Sequence, residues 1–558
     1  MSARRKAHDS TTHDSTTGTT ELRTEGAISR GSGLARLRSR GVVVAGIAAL
    51  ALTATACGGD KDKKKDASAS GAPAAGKSGG KVTMLAVQDS KSLDPFRTSY
   101  VAVADEPRMA ALYDPMFYID AKSGKVVPFL ADSLTSADNG ATWTLKLKQG
   151  VQFSDGTPFD AAAVKLNWET HAKPETQSLH RAYAAELGIE VVDPLTLKVT
   201  PPRMPNPNFD KTVAQHLSYI EAPSAINKGL DAAGTAPVGA GPFMLKSWTR
   251  GSAQEFVKNP NYWQKDKGLP KLDGLTIKNV PDLTQQLNSV KSGSADIFMS
   301  SDPKALSEGK KAVQAQVQED LGGQLLGFNM AKAPFDDQRA RRAIALALDP
   351  NDIPKTLDNG YVPAKSFFNT SSAFFDPQYV QPAPNKDEAQ SLFNALAAEG
   401  KKVDFTLLVP KNPAADKVAE LFKSRLEAFQ NVSVKIDSIE IGQYIVKYAI
   451  QKDFQGILFQ QWLLDPEPEM FNTFISPSPL NYFAWKNPKA DAALLAGRTS
   501  TDPEARKKAY SDLQKEMAED LPVWAYAQSQ VGPIYSKKVT GVEMYGTGNI
   551  FLDRLALS

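Results

Sequence analysis

Cysteine is almost absent from this chain. Cys57 is the single one among 558 residues, so no disulfide can form within the chain and no cysteine-built metal centre has a ligand set. Histidine is nearly as scarce: His8, His13, His171, His180 and His216 are all there are. None lies in the C-terminal 342 residues, which leaves direct ligation of a metal such as Ni²⁺ there without imidazole donors. Long apolar runs are also missing. The one run of note, from Gly41 to Ala56, has 16 residues, fewer than the ~20 that a membrane-crossing helix needs. Nor is there a real excess of charge. The first 40 residues hold eight of the 65 basic and four of the 62 acidic groups, leaving 57 against 58, and a balance near −1 gives no electrostatic footprint for nucleic acid. What remains is 42% hydrophobic and 23% charged, ordinary for a globular protein. The length predicts about three compact units at ~150 residues each, which two lobes with one subdomain satisfy.

The N-terminal segment reads as a leader. A Thr/Ser/Asp/His tract over residues 10–20 precedes Arg36, Arg38 and Arg40 and then the apolar run, the order of a signal peptide. Arg4-Arg5 lies too far upstream for a twin-arginine signal. The run ends Leu52-Thr53-Ala54-Thr55-Ala56-Cys57-Gly58-Gly59, which resembles the lipobox of bacterial lipoproteins. That resemblance implies a signal peptide over 1–56, a lipidated Cys57 and a position on the outer face of the cell membrane, since two acyl chains anchor stably where one is marginal. Residues 57–80, charged and then Ala/Gly/Ser-rich, lack the apolar residues for a core and read as a flexible tether. Two catalytic patterns fall inside it. Gly71 to Ser78 fits a phosphate loop and Gly76 to Gly80 a nucleophile elbow, but each requires a preceding strand that tether sequence does not supply.

The most informative stretch runs from Pro128 to Glu169. Trp143, Leu145 and Leu147 alternate with polar residues, the period of a half-buried strand. Gln149-Gly150 turns the chain into a short strand over 151–153, Ser154-Asp155-Gly156 turns it again, and Asp160 caps a helix carrying Val164 and Trp168 on one face. The wording P-x-LA-x-S, TWT-x-K-L, GV-x-F-x-DGTPF and V-K-x-x-W resembles the bacterial extracellular solute-binding proteins of family 5, the peptide- and nickel-binding receptors of ABC importers. The likeness extends to Leu93-Asp94-Pro95, Gly239-Ala240-Gly241-Pro242-Phe243, Asn259-Pro260-Asn261-Tyr262-Trp263 and Phe335-Asp336-Asp337-Gln338-Arg339.

The resemblance implies an α/β, two-lobed fold of the periplasmic-binding-protein type, class II with an extra subdomain, hinged between lobes. Lobe I is expected over 81–278, lobe II over 279–525 and a return to lobe I over 526–558, with the crossover near 275–281. The periodicity agrees with alternating elements: strands at 82–87, 275–280, 323–329, 402–409, 432–436, 456–459 and 522–530, and helices at 101–116, 284–291, 338–348, 414–430, 444–451 and 503–519. Arg339 sits off the apolar face of its helix; a paired or solvated role outweighs an anion contact.

Loops at strand carboxyl ends form ligand crevices in such folds, which makes Gln88, Asp89 and Ser90 candidate lining residues. Directly after strand 456–459 stands Gln461-Trp462-Leu463-Leu464-Asp465-Pro466-Glu467-Pro468-Glu469. In peptide-binding relatives the matching W-x-x-D supplies an aromatic wall and a carboxylate for the peptide ammonium, which implies those roles for Trp462 and Asp465, with Tyr526 lining the cleft. Glu467 and Glu469 compete as carboxylates, and Gln461 replaces the family's usual glycine. The implied protein is a monomeric receptor, not an enzyme, with no cofactor and no bound metal of its own. It delivers oligopeptides or dipeptides to an ABC permease; a metal chelate or an oligosaccharide is the alternative cargo.

Overall fold

The computed structural model describes residues 77–558 apart from Arg203; the leader, Cys57 and most of the tether lie outside the described residues. The organising element is an 11-stranded mixed sheet drawn from both ends and the middle of the chain. In its first half, Lys81–Ala86 pairs in parallel with Gly274–Asn279 and Ile297–Ser300, while Ala253–Lys258 and Phe243–Thr249 extend it antiparallel. In its second half, Val403–Pro410 lies parallel between Val432–Ile439 and Gly456–Gln460, followed by Gln318–Phe328. Val523–Tyr535 belongs to both halves. It pairs with Gln318–Phe328 through Val531 and with Ile297–Ser300 from Gly532 onward. Separate buried clusters pack on each half, Val82, Met84, Leu275 and Ile297 on one and Leu326, Phe405, Val434 and Trp524 on the other.

A third core belongs to the subdomain. Its four-stranded antiparallel sheet runs in the order Ala131–Thr135, Trp143–Leu147, Thr196–Thr200, Gly188–Asp193. The alternation of residues 143–147 puts Trp143, Leu145 and Leu147 inward, against helix Ala161–Ala172. Asp160 caps that helix by accepting from Ala163 N, as its sequence position predicts. Trp168 is fully buried and donates from Nε1 to Leu217 O, tying the helix to the end of helix Phe209–His216.

Several local expectations need correction. Residues 151–153 make no strand, only a bridge between Gln152 and Pro158. The helix expected over 101–116 shortens to Glu106–Leu112, with Pro107 in its first turn, the position where proline starts a helix rather than continuing one. Residues 441–450 wind first as α-helix Ile441–Ile445 and then as π-helix Val446–Ile450. The lobe boundary also moves. Residues 279–312 stay with the first half of the sheet, because Ile297–Ser300 pairs beside Lys81–Ala86 and Pro303–Ala312 packs with it. The chain crosses between Gln314–Ala315, which pairs with residues 534–535, and Gln318, which pairs with Val531. It recrosses at 531–532 rather than 525–526. Sequence spacing cannot reveal this, since a strand shared by both halves of a sheet has one continuous pattern.

At the crossings the backbones nearly touch. Gln316 N donates to Pro533 O at 3.1 Å, and a Cβ on Gly532 would lie 1.9 Å from Gln316 O, so only glycine fits without a backbone shift. Gly532→Ala is therefore expected to reduce stability by about 1–3 kcal/mol through overpacking, seen as a lower urea midpoint; an unchanged midpoint would contradict the close approach.

Candidate functional site

The sequence-predicted residues divide by how they are held. In lobe I, Asp89 is committed to structure. Its Oδ1 accepts from Ser90 N at 2.9 Å and Trp248 Nε1 at 3.1 Å, and its Oδ2 accepts from Gly251 N at 2.7 Å, which pins the tip of hairpin 243–258 to the loop. Arg250 stacks 3.3 Å from the Trp248 ring centroid and donates to Ser90 O and Lys91 O. Ser90 is buried, its hydroxyl donating to Ser92 O. The Gln88 carbonyl accepts from buried Arg108 at 2.8 Å, while its half-buried side chain has no hydrogen bond among the described residues. Next in the chain, exposed Lys91 reaches lobe II: a Cβ on Gly442 would stand 2.9 Å from its Nζ.

In lobe II, strand Gly456–Gln460 delivers the chain to Trp462. Gln461 N donates to Gly323 O at 3.1 Å, and a Cβ on Gly322 would stand 2.2 Å from Gln461 O, so the segment is laid hard against the crossing strand. Leu463 is buried and anchors the loop, while Trp462 is half-buried with no ring or hydrogen-bond partner among the described residues. Gln460 Nε2 donates to Ser529 Oγ at 3.0 Å. Beside them Asp320 is 1% exposed, and burial pushes its carboxyl well above the usual range against the opposing effect of Ser529.

Tyr526 does not line the cleft. It is 4% exposed and packs edge-on to Phe422, 5.3 Å between centroids, in the core under the second half-sheet. The reason is strand parity: Trp524 and Tyr526 share one face, and that face meets the lobe II helices.

Asp465 is buried, and its charge is already met. Arg506, from helix Pro503–Asp520, grips both carboxylate oxygens, Nη1 to Oδ2 at 2.8 Å and Nη2 to Oδ1 at 2.5 Å, and Lys211 Nζ reaches Oδ2 at 2.7 Å. Burial opposes ionisation of Asp465, yet Arg506 and Lys211 outweigh it and hold the carboxyl below its usual range. Lys211 lies on subdomain helix Phe209–His216, so this is a contact between lobes. The rest of the acidic run meets the same helix. Gln215 Nε2 donates to Glu467 O at 3.0 Å, and His216 Nε2 meets Glu469 Oε1. Asn208 Nδ2 donates to Arg498 O at 2.8 Å and Ser500 O at 3.0 Å. Residues 208, 211 and 215 follow the spacing of one helical face, while Phe209 and Val213 enter the subdomain core. Glu467, fully buried, contacts Arg498 at 3.1 Å, but burial dominates and raises its carboxyl to about 7.

Sequence reading missed Lys211, His216, Arg498 and Arg506 as partners of this run; the spacing of 208, 211 and 215 is the one signal that could have pointed to a second working face. Arg339 pairs with Asp337 and Glu399, the paired role. His171, His180 and His216 gather beside this contact, and among the described residues no group of three or more His, Cys, Asp or Glu is arranged to hold a metal ion.

Removing one partner from such a buried pair strands a charge. Arg506→Met is expected to reduce stability by about 3–5 kcal/mol, and adding both Asp465→Leu and Lys211→Met, which leaves no charge stranded, to recover most of it in denaturant titrations. The pH dependence follows from the two acids. Asp465, lowered in the fold, stabilises above its unfolded value of about 4 and loses that contribution on acidification. Glu467 is raised from 4.5 to about 7, so the native chain keeps a proton that the unfolded chain releases, and its contribution falls as pH climbs across that window. Urea midpoints of Glu467→Gln are expected to decline less between pH 5 and 7 than those of the parent.

Comparison with known proteins places these features. The model of bacterial extracellular solute-binding proteins, family 5 (middle region), matches residues 125–481. The glutathione-binding protein GsiB of Salmonella paratyphi A is 28% identical over 449 residues, 77% of this chain and 86% of that protein. Among solved structures, a dipeptide-binding protein from Pseudoalteromonas sp. SM9913 in complex with Met-Leu superposes with a TM-score of 0.73 at 21% identity, covering 86% of this chain and all of that one. The oligopeptide-binding protein AppA of Bacillus subtilis, in complex with a nonapeptide, superposes at 0.72 and 20% identity, covering 87% of this chain and all of that one. The two half-sheets, the inserted subdomain and a family match spanning most of the chain agree: this protein belongs to the bacterial extracellular solute-binding proteins of family 5, the receptors of ABC importers.

Proposed function

We propose that this protein is the lipid-anchored receptor of an ABC importer, capturing short peptides outside the cytoplasmic membrane and handing them to a permease. One observation carries the reading: among the described residues, two lobes with separate cores are joined at only two adjacent crossings, 315–318 and 531–532. Such a joint permits rigid-body closure through a few backbone dihedrals. The printed names of the relatives, glutathione-, dipeptide- and oligopeptide-binding, favour a peptide as cargo.

The groups that remain available support a peptide held mainly along its backbone. The Gln88 amide and the half-buried Trp462 indole are neutral, and Lys91 is exposed with no carboxylate partner among the described residues. Lys91 is then the group for a ligand carboxylate and Trp462 the wall, with water filling around varied side chains. Asp465 contributes indirectly, by joining the lobes through Lys211. Anchoring rests on the lipobox-like sequence at Cys57.

Isothermal titration with glutathione and a panel of dipeptides is the test, paired with small-angle scattering. At least one of these ligands is expected to bind, to lower the radius of gyration, and to bind at least tenfold more weakly to Trp462→Ala. Indifference to every peptide would overturn the cargo. For the anchor, metabolic labelling with palmitate is expected in the parent and absent in Cys57→Ser.

A further inference from the structure

The histidines at the contact between the lobes form a line of hydrogen bonds whose protons can be counted. His180 Nε2 lies 3.2 Å from Thr98 O, His180 Nδ1 lies 3.2 Å from His216 Nδ1, and His216 Nε2 meets Glu469 Oε1. The two ends of the line, a carbonyl and a carboxylate, only accept. Three contacts need three protons, and two neutral imidazoles carry two. One further proton must therefore be present whenever the line is intact, on a ring or on Glu469. The rings are held for this register: Tyr100 stacks on His180 at 3.9 Å and Tyr183 on His216 at 3.6 Å between centroids.

The line also crosses between the lobes. Thr98, His180 and His216 belong to lobe I and its subdomain, and Glu469 to helix Glu469–Phe474 of lobe II. It runs alongside the Lys211–Asp465 and Gln215–Glu467 contacts. We propose that helix Phe209–His216 and residues 465–469 form a proton-operated latch between the lobes, shut while the line Thr98–His180–His216–Glu469 holds its third proton and released when that proton leaves.

The location of the third proton follows from the surroundings. Burial pushes His180 well below the ordinary imidazole range, and His171, edge-on to His180, down to about 3. The proton therefore sits at the His216–Glu469 contact, the end of the line that separates when the lobes part. The other ionisable groups facing that contact are Tyr183, whose phenol burial raises well above its usual range, and Glu467, raised to about 7 beside Arg498. Glu467 can respond to pH on its own account, and its response has to be separated from that of the line by experiment. Parting the lobes breaks the His216–Glu469 contact that needs the third proton, so opening is favoured where protons are scarce and closing where they are plentiful.

The inference rests on the hinged-receptor reading only in that the lobes must be able to part, and its test uses no ligand. Radii of gyration from small-angle scattering of the ligand-free protein are to be compared at pH 5.5 and 8.5, with circular dichroism confirming a folded chain at both. The parent is expected to be compact at pH 5.5 and expanded at pH 8.5. Glu469→Gln supplies an amide N–H to neutral His216 and with it the third proton permanently, so that variant is expected to stay compact at pH 8.5. Glu467→Gln is expected to respond as the parent does. A parent radius unchanged between the two pH values, a Glu469→Gln protein expanded at both, or loss of the response in Glu467→Gln would each overturn the proposal. The peptide reading is untouched by these outcomes, since it is decided by titration with ligand.

Discussion

Everything in the described chain hangs on Val523–Tyr535 being one strand shared by both halves of the sheet. Its first residues satisfy their backbone groups on Gln318–Phe328 and its last on Ile297–Ser300. Backbone N–H and C=O groups left unpaired in a protein interior are costly, so neither lobe can drop its share of this strand without exposing its own core. The second connection runs beside it, so close that Gly532 has no room for a Cβ. Relative motion of the lobes is thereby confined to a few residues at 316–318 and 530–532, while the cores on either side stay as they are.

The acidic run shows how burial decides what a charged residue can do. An ion leaving water loses several kcal/mol even after relaxation, so a buried aspartate cannot stand empty while it waits for cargo. Asp465 is given a two-pronged partner by Arg506 within its own lobe and a third contact by Lys211 from the other. Asp320 shows the other outcome: burial outweighs the help its carboxyl receives from Ser529 and favours the neutral acid. Side chains that keep contact with water, such as those of Lys91, Gln88 and Trp462, carry no such penalty.

What was legible in the sequence was mostly local. Period-two alternation found Trp143–Leu147, and Asp160 announced the helix it caps, because both depend on neighbours a few residues away. Family wording identified the architecture. The misses are tertiary. Tyr526 has the right residue type for a cleft wall, but strand parity, fixed by pairing with Gln318–Phe328 across a bulge, turned it into the core. Asp465 has the right motif, yet its partners lie 41 and 254 residues away in sequence. The lobe boundary expected near 275–281 lies too early, because Ile297–Ser300 pairs beside the first strand of the chain just as Gly274–Asn279 does.

The subdomain is what turns the acidic run into a contact between lobes. Helix Phe209–His216 uses Phe209 and Val213 to fasten itself to a core that includes Trp168 and Leu217, and this fixes where Lys211 and His216 point. The resulting contact is not a strong one, despite its many polar atoms. Glu467 Oε1, Glu469 Oε2 and Arg498 Nε are all buried there without a hydrogen bond, and desolvation of that kind offsets much of the attraction gained. A receptor gains from that balance. Cargo can only shift an equilibrium between open and closed forms by its differential affinity, and a clamp locked shut while empty would reduce apparent affinity by the fraction unable to admit cargo. A latch near neutrality in free energy, with one of its contacts conditional on a proton, keeps the empty protein able to open and leaves the cargo to decide.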